Sequence, residues 1–343
     1  MKNTDIEIIT SLKALLTNAK SKLVIIPHEN PDGDAIGSAL GLGQVLKDFG
    51  HEVKVISSND YPDFLKWFSA DVPVLIYDRE KKEAKKWLKE AEAMICVDFN
   101  EAKRAGKLEK KILNFTNEKV LIDHHPYPKQ FCDFMVSETS YSSTCELVFD
   151  VLIDTGFSSF LSQKAAEALY TGILTDTGGF SHNISKNTFK VVSELLNHNI
   201  ETDKIQSAVF HNYSADRMKL LGFCLNEKMQ VFPEYRAALI SISKEELERF
   251  NFQPGDTEGF VNYPLSIKNI VFSALFIEKE GFVKASFRSK GNFPANAFSA
   301  NHFNGGGHLN AAGGESELNF EETLLKFTQL LPEYEHQLLE TTI

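Results

Sequence analysis

His28, Asp32 and Asp34 lie within one short stretch, His28-Glu29-Asn30-Pro31-Asp32-Gly33-Asp34. A neutral imidazole nitrogen beside hard carboxylate oxygens is a donor set for a cation such as Mn, Fe or Zn, and suits Ca less well. The stretch follows Leu23-Val24-Ile25-Ile26-Pro27, a short, uncharged, β-branched run that reads as a buried parallel strand. Pro31 and Gly33 interrupt regular structure, and a helical pattern starts near Asp34. One His and two Asp therefore sit at the carboxyl end of a strand, where open α/β sheets bind ligands. Taken alone, the same residues describe a helix start equally well, with Asp34 as N-cap and Asp32-Gly33 as a turn pair.

The pattern recurs. A buried run at 93–97 ends at Asp98, and another at 119–122 runs into Asp123-His124-His125. Asp176 sits in the Gly-rich stretch Thr175-Asp176-Thr177-Gly178-Gly179-Phe180, after a helical pattern. One Asp at a strand end is ordinarily a cap or a turn residue. Several in one domain point instead to a shared purpose, because parallel strands place all their carboxyl ends on one edge. A single catalytic ion takes about three protein ligands and keeps an open position. The surplus here suggests two ions, about 3.5–4 Å apart with a shared carboxylate, and the natural chemistry is hydrolysis of a phosphate ester or anhydride. No Walker A sequence, GxGxxG fingerprint or Gly-x-Ser-x-Gly elbow occurs, which argues against nucleotide-driven motors, Rossmann oxidoreductases and serine hydrolases.

The elements that must hold these residues alternate. A leading amphipathic helix is expected over 6–19 and strands near 23–27, 52–57, 74–77, 93–97 and 119–122. Helices are expected over 34–49, 79–90, 143–156 and 162–174. This is the pattern of an α/β fold, a parallel sheet with helices on both faces. Two or three helices over 187–225 follow without a strand candidate. Strands at 236–241, 270–276 and 282–288, a glycine run and a final helix at 320–331 form a second, smaller α/β unit. The division read from the sequence is a catalytic domain at 1–190, a helical linker at 191–225 and a substrate-binding domain at 226–343.

That second unit has its own candidates. Gly305, Gly306 and Gly307 would let backbone N–H groups approach a phosphate closely. His308 adds a donor, and Arg288, one of six arginines, adds a bidentate cation at a strand end. Ala311-Ala312-Gly313 reads as the start of a small-residue helix. The bland alternatives are a flexible turn for the glycines and a solvated surface position for Arg288.

The chain of 343 residues has a net charge of −11, and long-duplex binding, which needs basic surface, is not expected of it. A short anionic substrate remains compatible if metal ions and a few local cations neutralise its phosphates. Cys96, Cys132, Cys145 and Cys224 show no CxxC pair, as expected for free thiols in a reducing compartment. With no apolar span of about 20 residues, a cytoplasmic protein without membrane attachment is expected.

Asp123-His124-His125 resembles the signature of the DHH phosphoesterase superfamily. The 28–38 loop, Asp98 and Thr175-Asp176-Thr177-Gly178 are similar to its other metal motifs, in the same order. Gly305-Gly306-Gly307-His308 with Ala311-Ala312-Gly313 resembles the substrate motif of the associated DHHA1 domain. The resemblance implies one ion on His28, Asp32 and Asp98, and a second on Asp34, Asp98, His124 and Asp176, with Asp98 bridging. It implies Mn as the ion, with Mg and Co as the other candidates. His125 would assist at the phosphate as transition-state stabiliser or proton donor, and Asp123 would orient its neighbours. Phe99-Asn100 departs from the small residues expected after Asp98 and leaves the nearby pocket shape open.

The implied activity is that of the stand-alone nano-RNases. These cleave RNA a few nucleotides long to 5′-mononucleotides and remove the 3′-phosphate of 3′-phosphoadenosine 5′-phosphate. Partners would be short RNA or a small nucleotide, in a monomer or a homodimer. The competing readings are a phosphodiesterase for linear or cyclic di-adenosine phosphates, a RecJ-like single-strand exonuclease and a non-catalytic nucleotide sensor.

Overall fold

Leu23 and Ile25 point into one apolar cluster and Val24 and Ile26 into another, so a single short run is buried on both faces. That is the environment of a central parallel strand. The computed structural model describes residues 6–17, 20–68 and 71–342. It divides into two compact units, Met1–Asn212 and Tyr213–Ile343. Residues 18 and 19, expected to end the leading helix, lie outside the described residues, as do residues 1–5.

The first unit begins with α1 (Ile6–Thr17), β1 (Lys22–Pro27), α2 (Gly33–Phe49), β2 (Glu52–Ser57) and β3 (Val74–Ile76). It continues through α3 (Lys81–Glu90), β4 (Ala93–Val97), α4 (Glu109–Leu113), β5 (Glu118–Asp123) and β6 (Phe134–Ser137). Helices α5 (Thr144–Thr155), α6 (Gln163–Asp176), α7 (Lys186–Leu196) and α8 (Thr202–Phe210) complete it. All six strands are parallel, in the order β3-β2-β1-β4-β5-β6. The chain winds one way from β1 and the other way from β4. The crevice at their carboxyl ends is therefore the topological switch point, the preferred ligand site of such sheets. Leu12, Leu16, Val45, Val148, Leu169 and Val191 cover one face, while Ala84, Leu88 and Ile112 cover the other.

Helices α2 and α6 cross unusually closely. Gly33, Gly37 and Gly41 recur every fourth residue on one face of α2. A Cβ at Gly37 would stand 2.6 Å from the Ala168 carbonyl, and one at Gly33 would stand 2.3 Å from Thr175 Oγ1. Bare backbone on one helix thus lets the start of α2 lie against the end of α6, which carries Asp176.

The second unit runs through α9 (Ala215–Phe223), β7 (Gln230–Phe232), β8 (Ala237–Ile242), α10 (Lys244–Arg249), β9 (Phe272–Lys279) and β10 (Phe282–Ser289). It ends with α11 (Ala295–His302), β11 (Gly306–His308), β12 (Ala311–Ser316), α12 (Phe320–Leu330) and α13 (Glu335–Leu339). Its sheet is mixed, in the order β11-β12-β10-β9-β8-β7, with only β8 and β9 parallel. Phe272, Phe276, Phe287, Phe298, Phe303 and Phe327 form one mutually packed aromatic core.

Three local expectations change. Ala311-Ala312-Gly313 starts a strand, not a helix. It pairs with β10 throughout, and a Cβ at Gly314 would stand 2.4 Å from the Phe303 carbonyl, so small residues admit a passing backbone. The N-cap of α2 is Asp32, whose carboxylate accepts from Asp34 N and Ala35 N, and Asp34 lies in the first turn. Strands β6, β7 and β11, of three or four residues each, are too short to show in the residue pattern.

Gly37→Ala separates packing from propensity. Propensity alone would stabilise α2 by about 1 kcal/mol. The close approach predicts a loss of about 1–3 kcal/mol instead, read as a lower midpoint in chemical denaturation. A raised midpoint would contradict the contact.

Candidate metal centre

The loop after β1 carries His28 and Asp32, the first turn of α2 carries Asp34, β4 is followed by Asp98, and β5 ends in Asp123, ahead of His124 and His125. With Asp176 at the end of α6, all of these residues meet at the switch point. Ligand-capable atoms gather into His28–Asp32–Asp98, Asp34–His124–Asp176 and Asp98–Asp123–His125, each within 4.8 Å.

His28 Nε2 lies 3.5 Å from Asp98 Oδ2 and 3.8 Å from Asp32 Oδ1. His124 Nε2 lies 3.7 Å from Asp98 Oδ1, 3.7 Å from Asp176 Oδ2 and 3.8 Å from Asp34 Oδ2. These gaps are too long for good hydrogen bonds. Donors about 2.0–2.2 Å from a common ion stand about this far apart. Asp98 offers one oxygen to each histidine.

The ring orientations support the same fit. His28 Nδ1 donates to the Glu29 carbonyl at 2.8 Å, and His124 Nδ1 donates to the Tyr141 carbonyl at 3.2 Å. Each leaves Nε2 as the lone-pair nitrogen toward the carboxylates, the usual arrangement of a metal-ligating imidazole. His125 differs, since its Nδ1 donates to Asp123 Oδ1 at 2.8 Å. Asp123 Oδ2 is buried without a hydrogen-bond partner among the described residues.

Burial and like charge set the electrostatics. Burial drives the Asp34 carboxyl well above its usual range, and the neighbouring Asp98 and Asp176 carboxylates add to it. Burial would do the same to Asp98, but contact with His28 and the charges of His125 and His124 hold it far below. Burial would lower His124, yet Asp176, Asp34 and Asp98 push it up to about 9. His28 is raised against its own burial by Asp98 and Asp32. Without a cation, the raised His124 offsets part of the carboxylates' charge.

Thr144 and Cys145 escaped the sequence reading. The N-terminus of α5 points at Asp34, whose oxygens accept from Thr144 N at 2.6 Å and Cys145 N at 2.9 Å. Thr144 Oγ1 donates to Asp98 Oδ1 at 2.8 Å. The available signal was Ser143-Thr144-Cys145-Glu146, which has capping-box spacing and so marks a helix start. Phe99, the unexpected residue after Asp98, is fully buried and stacks on Phe131.

In the second unit, Arg288 and His308 both pair with Ala311, so the three residues form one row across β10, β12 and β11. Paired residues share a face. Arg288 Nη1 donates to the Phe287 carbonyl at 3.0 Å. The glycines differ from one another. A Cβ at Gly305 would meet the Gly313 carbonyl at 2.0 Å, and Gly307 has φ 139°, whereas Gly306 faces open space. Gly305 and Gly307 thus meet local steric needs, and Gly306 alone of the three is open.

Residues 22–173 match the DHH family, N-terminal domain, and residues 237–333 match the DHHA1 domain. The crystal structure of an exopolyphosphatase-related protein from Bacteroides fragilis superposes with a TM-score of 0.93 at 42% identity, covering 99% of this chain and 100% of that one. The chain belongs to the DHH phosphoesterase family. Among curated DHH relatives, the bifunctional oligoribonuclease and PAP phosphatase NrnA of Bacillus subtilis is 27% identical over 85% of this chain and 88% of its own. The protein of the same name from Thermus thermophilus is 29% identical over 87% and 85%. Exonuclease RecJ bound to manganese shares the fold, with a TM-score of 0.51 at 16% identity over 97% of this chain and 95% of that one.

Metal content separates the donor atoms from their supports. Asp98→Ala is expected to lose most bound Mn, and His125→Ala to keep it, by elemental analysis after desalting. Loss of Mn from His125→Ala would make His125 a ligand. Affinity should also depend on pH. A cation must displace the proton that His124 holds up to about pH 9, so Mn affinity should rise from pH 7 to 9 by up to about tenfold per unit per proton released. Isothermal titration across that range checks the sign, and a flat profile would refute it.

Proposed function

We propose that the chain is a metal-dependent phosphodiesterase that cleaves very short oligoribonucleotides to 5′-mononucleotides and also removes the 3′-phosphate of 3′-phosphoadenosine 5′-phosphate. Asp98 carries the reading, because its two oxygens face two separate imidazole–carboxylate groups. The proposed cofactor is a pair of Mn ions, one on His28, Asp32 and Asp98, the other on Asp34, Asp98, His124 and Asp176. When bound, such ions supply positive charge to a phosphate and acidify water. The names of the Bacillus and Thermus relatives support this substrate class.

The remaining roles fall to the chain's own side chains. Asp123 holds His125 by Nδ1, which fixes the ring and leaves Nε2 as the position for exchanging a proton. A histidine so oriented suits protonation of a leaving oxygen. The α5 amides hold Asp34 and the Thr144 hydroxyl holds Asp98, so neither carboxylate must reorganise when substrate arrives. Arg288, His308 and the glycine run at 305–307 are proposed to bind substrate, with Ala311 between Arg288 and His308 in one row of the sheet. None of the helices among the described residues is long and apolar enough to cross a membrane.

A side-by-side assay tests the reading. Mn-dependent turnover should favour a diribonucleotide over a long single-stranded RNA, with detectable release of phosphate from 3′-phosphoadenosine 5′-phosphate. Equal or better cleavage of the long strand would support a RecJ-like activity. Preference for polyphosphate would support the reading suggested by the name of the Bacteroides relative, and binding without turnover would support a sensor. Arg288→Ala and His308→Ala should raise KM with a smaller change in kcat. Unchanged kinetics in both would remove them from the site.

A further inference from the structure

Tyr127 has the most exposed large apolar side chain among the described residues, at 80%. It stands two residues after His125, so its Cα lies within about 7 Å of that residue's. Its φ is 59°, a left-handed conformation that a bulky side chain adopts only where the surroundings impose it.

The surroundings are identifiable. Pro126 and Pro128 flank Tyr127 and stiffen the chain on both sides. Asn100 then pins the loop at two points. Its Nδ2 donates to the Pro126 carbonyl at 2.7 Å, and its own carbonyl accepts from Lys129 N at 2.8 Å. Asn100 is in turn fixed through Phe99, which is fully buried and stacked on Phe131 with centroids 5.7 Å apart. The unexpected pair Phe99-Asn100 thus anchors a loop beside the donor cluster. The loop's one aromatic ring is held out to solvent, where it buries little apolar area of its own.

We propose that Tyr127 is a stacking platform for a nucleobase of the substrate and so determines specificity for base-bearing phosphodiesters. This rests on the phosphodiesterase reading above. An exposed ring on a fixed backbone close to the reacting centre can take any base, because every base presents a π-face. It loses little entropy on binding, since its backbone is already fixed.

The experiment compares kcat/KM for a diribonucleotide with that for an analogue in which one base is replaced by hydrogen. Wild type should prefer the base-bearing substrate. In Tyr127→Ala that preference should fall by at least about fivefold, mainly through KM. Tyr127→Phe keeps the ring and should keep the preference. An unchanged ratio in Tyr127→Ala, or an equal fall in Tyr127→Phe, would overturn the platform while leaving the phosphodiesterase reading intact. A wild-type protein that turns over neither compound with Mn would overturn the activity and the platform together.

Discussion

Several carboxylates share one small buried volume, and the first unit is arranged around the cost of that. Asp34, Asp98 and Asp123 are 1%, 2% and 0% exposed. Two like charges 4 Å apart repel by about 4 kcal/mol at the effective dielectric of a protein. The fold offsets part of this with fixed dipoles. Two amides of the α5 N-terminus meet Asp34, and the Thr144 hydroxyl meets Asp98. What they leave uncompensated raises both His124 and His28 against their own burial. A divalent cation would supply the same compensation with more charge per volume, which is why the donor set fits one.

Topology explains why the charges can be brought together at all. Strands β1 and β4 are neighbours, but their following connections leave in opposite directions. The loop with His28 and Asp32 and the turn with Asp98 are therefore adjacent without competing for space. Strand β5 adds Asp123, His124 and His125 from the other side of β4. Asp176 comes from the carboxyl end of a helix, and it reaches the cluster because glycines on α2 let α6 approach. Asp98 itself has φ 67°, unusual for a residue with a Cβ. Its N–H still donates to the Ile122 carbonyl at 3.1 Å, so the strand pairing continues into the turn.

Much of this was legible in the residues. Strongly apolar runs ending in Asp marked β4 and β5, and the residues expected as ligands meet at one edge because parallel strands must do so. Motif order made the family legible too. The N-cap was misplaced by two residues because Asp32 and Asp34 are both good caps, and only the hydrogen bonds distinguish them. Strand β12 was invisible because Ala311-Ala312-Gly313-Gly314 has little intrinsic strand preference and is held by pairing with β10. The α5 amides carry no side-chain signature at all. At Gly305 and Gly307 the lack of a Cβ also answers to the neighbouring backbone of β12, a need that the residue pattern does not show.

Adjacent histidines differ here because their Nδ1 atoms meet different partners. His124 and His125 follow directly from β5, and their rings stand 4.9 Å apart at 75°. One turns its Nδ1 to a backbone carbonyl and the other to a carboxylate. A carbonyl fixes the tautomer without adding charge, which suits a ring whose Nε2 donates a lone pair to a cation. A carboxylate fixes the ring as well and adds a negative charge beside it. The difference between the two histidines thus rests on the partner that each Nδ1 finds, the Tyr141 carbonyl for His124 and the Asp123 carboxylate for His125.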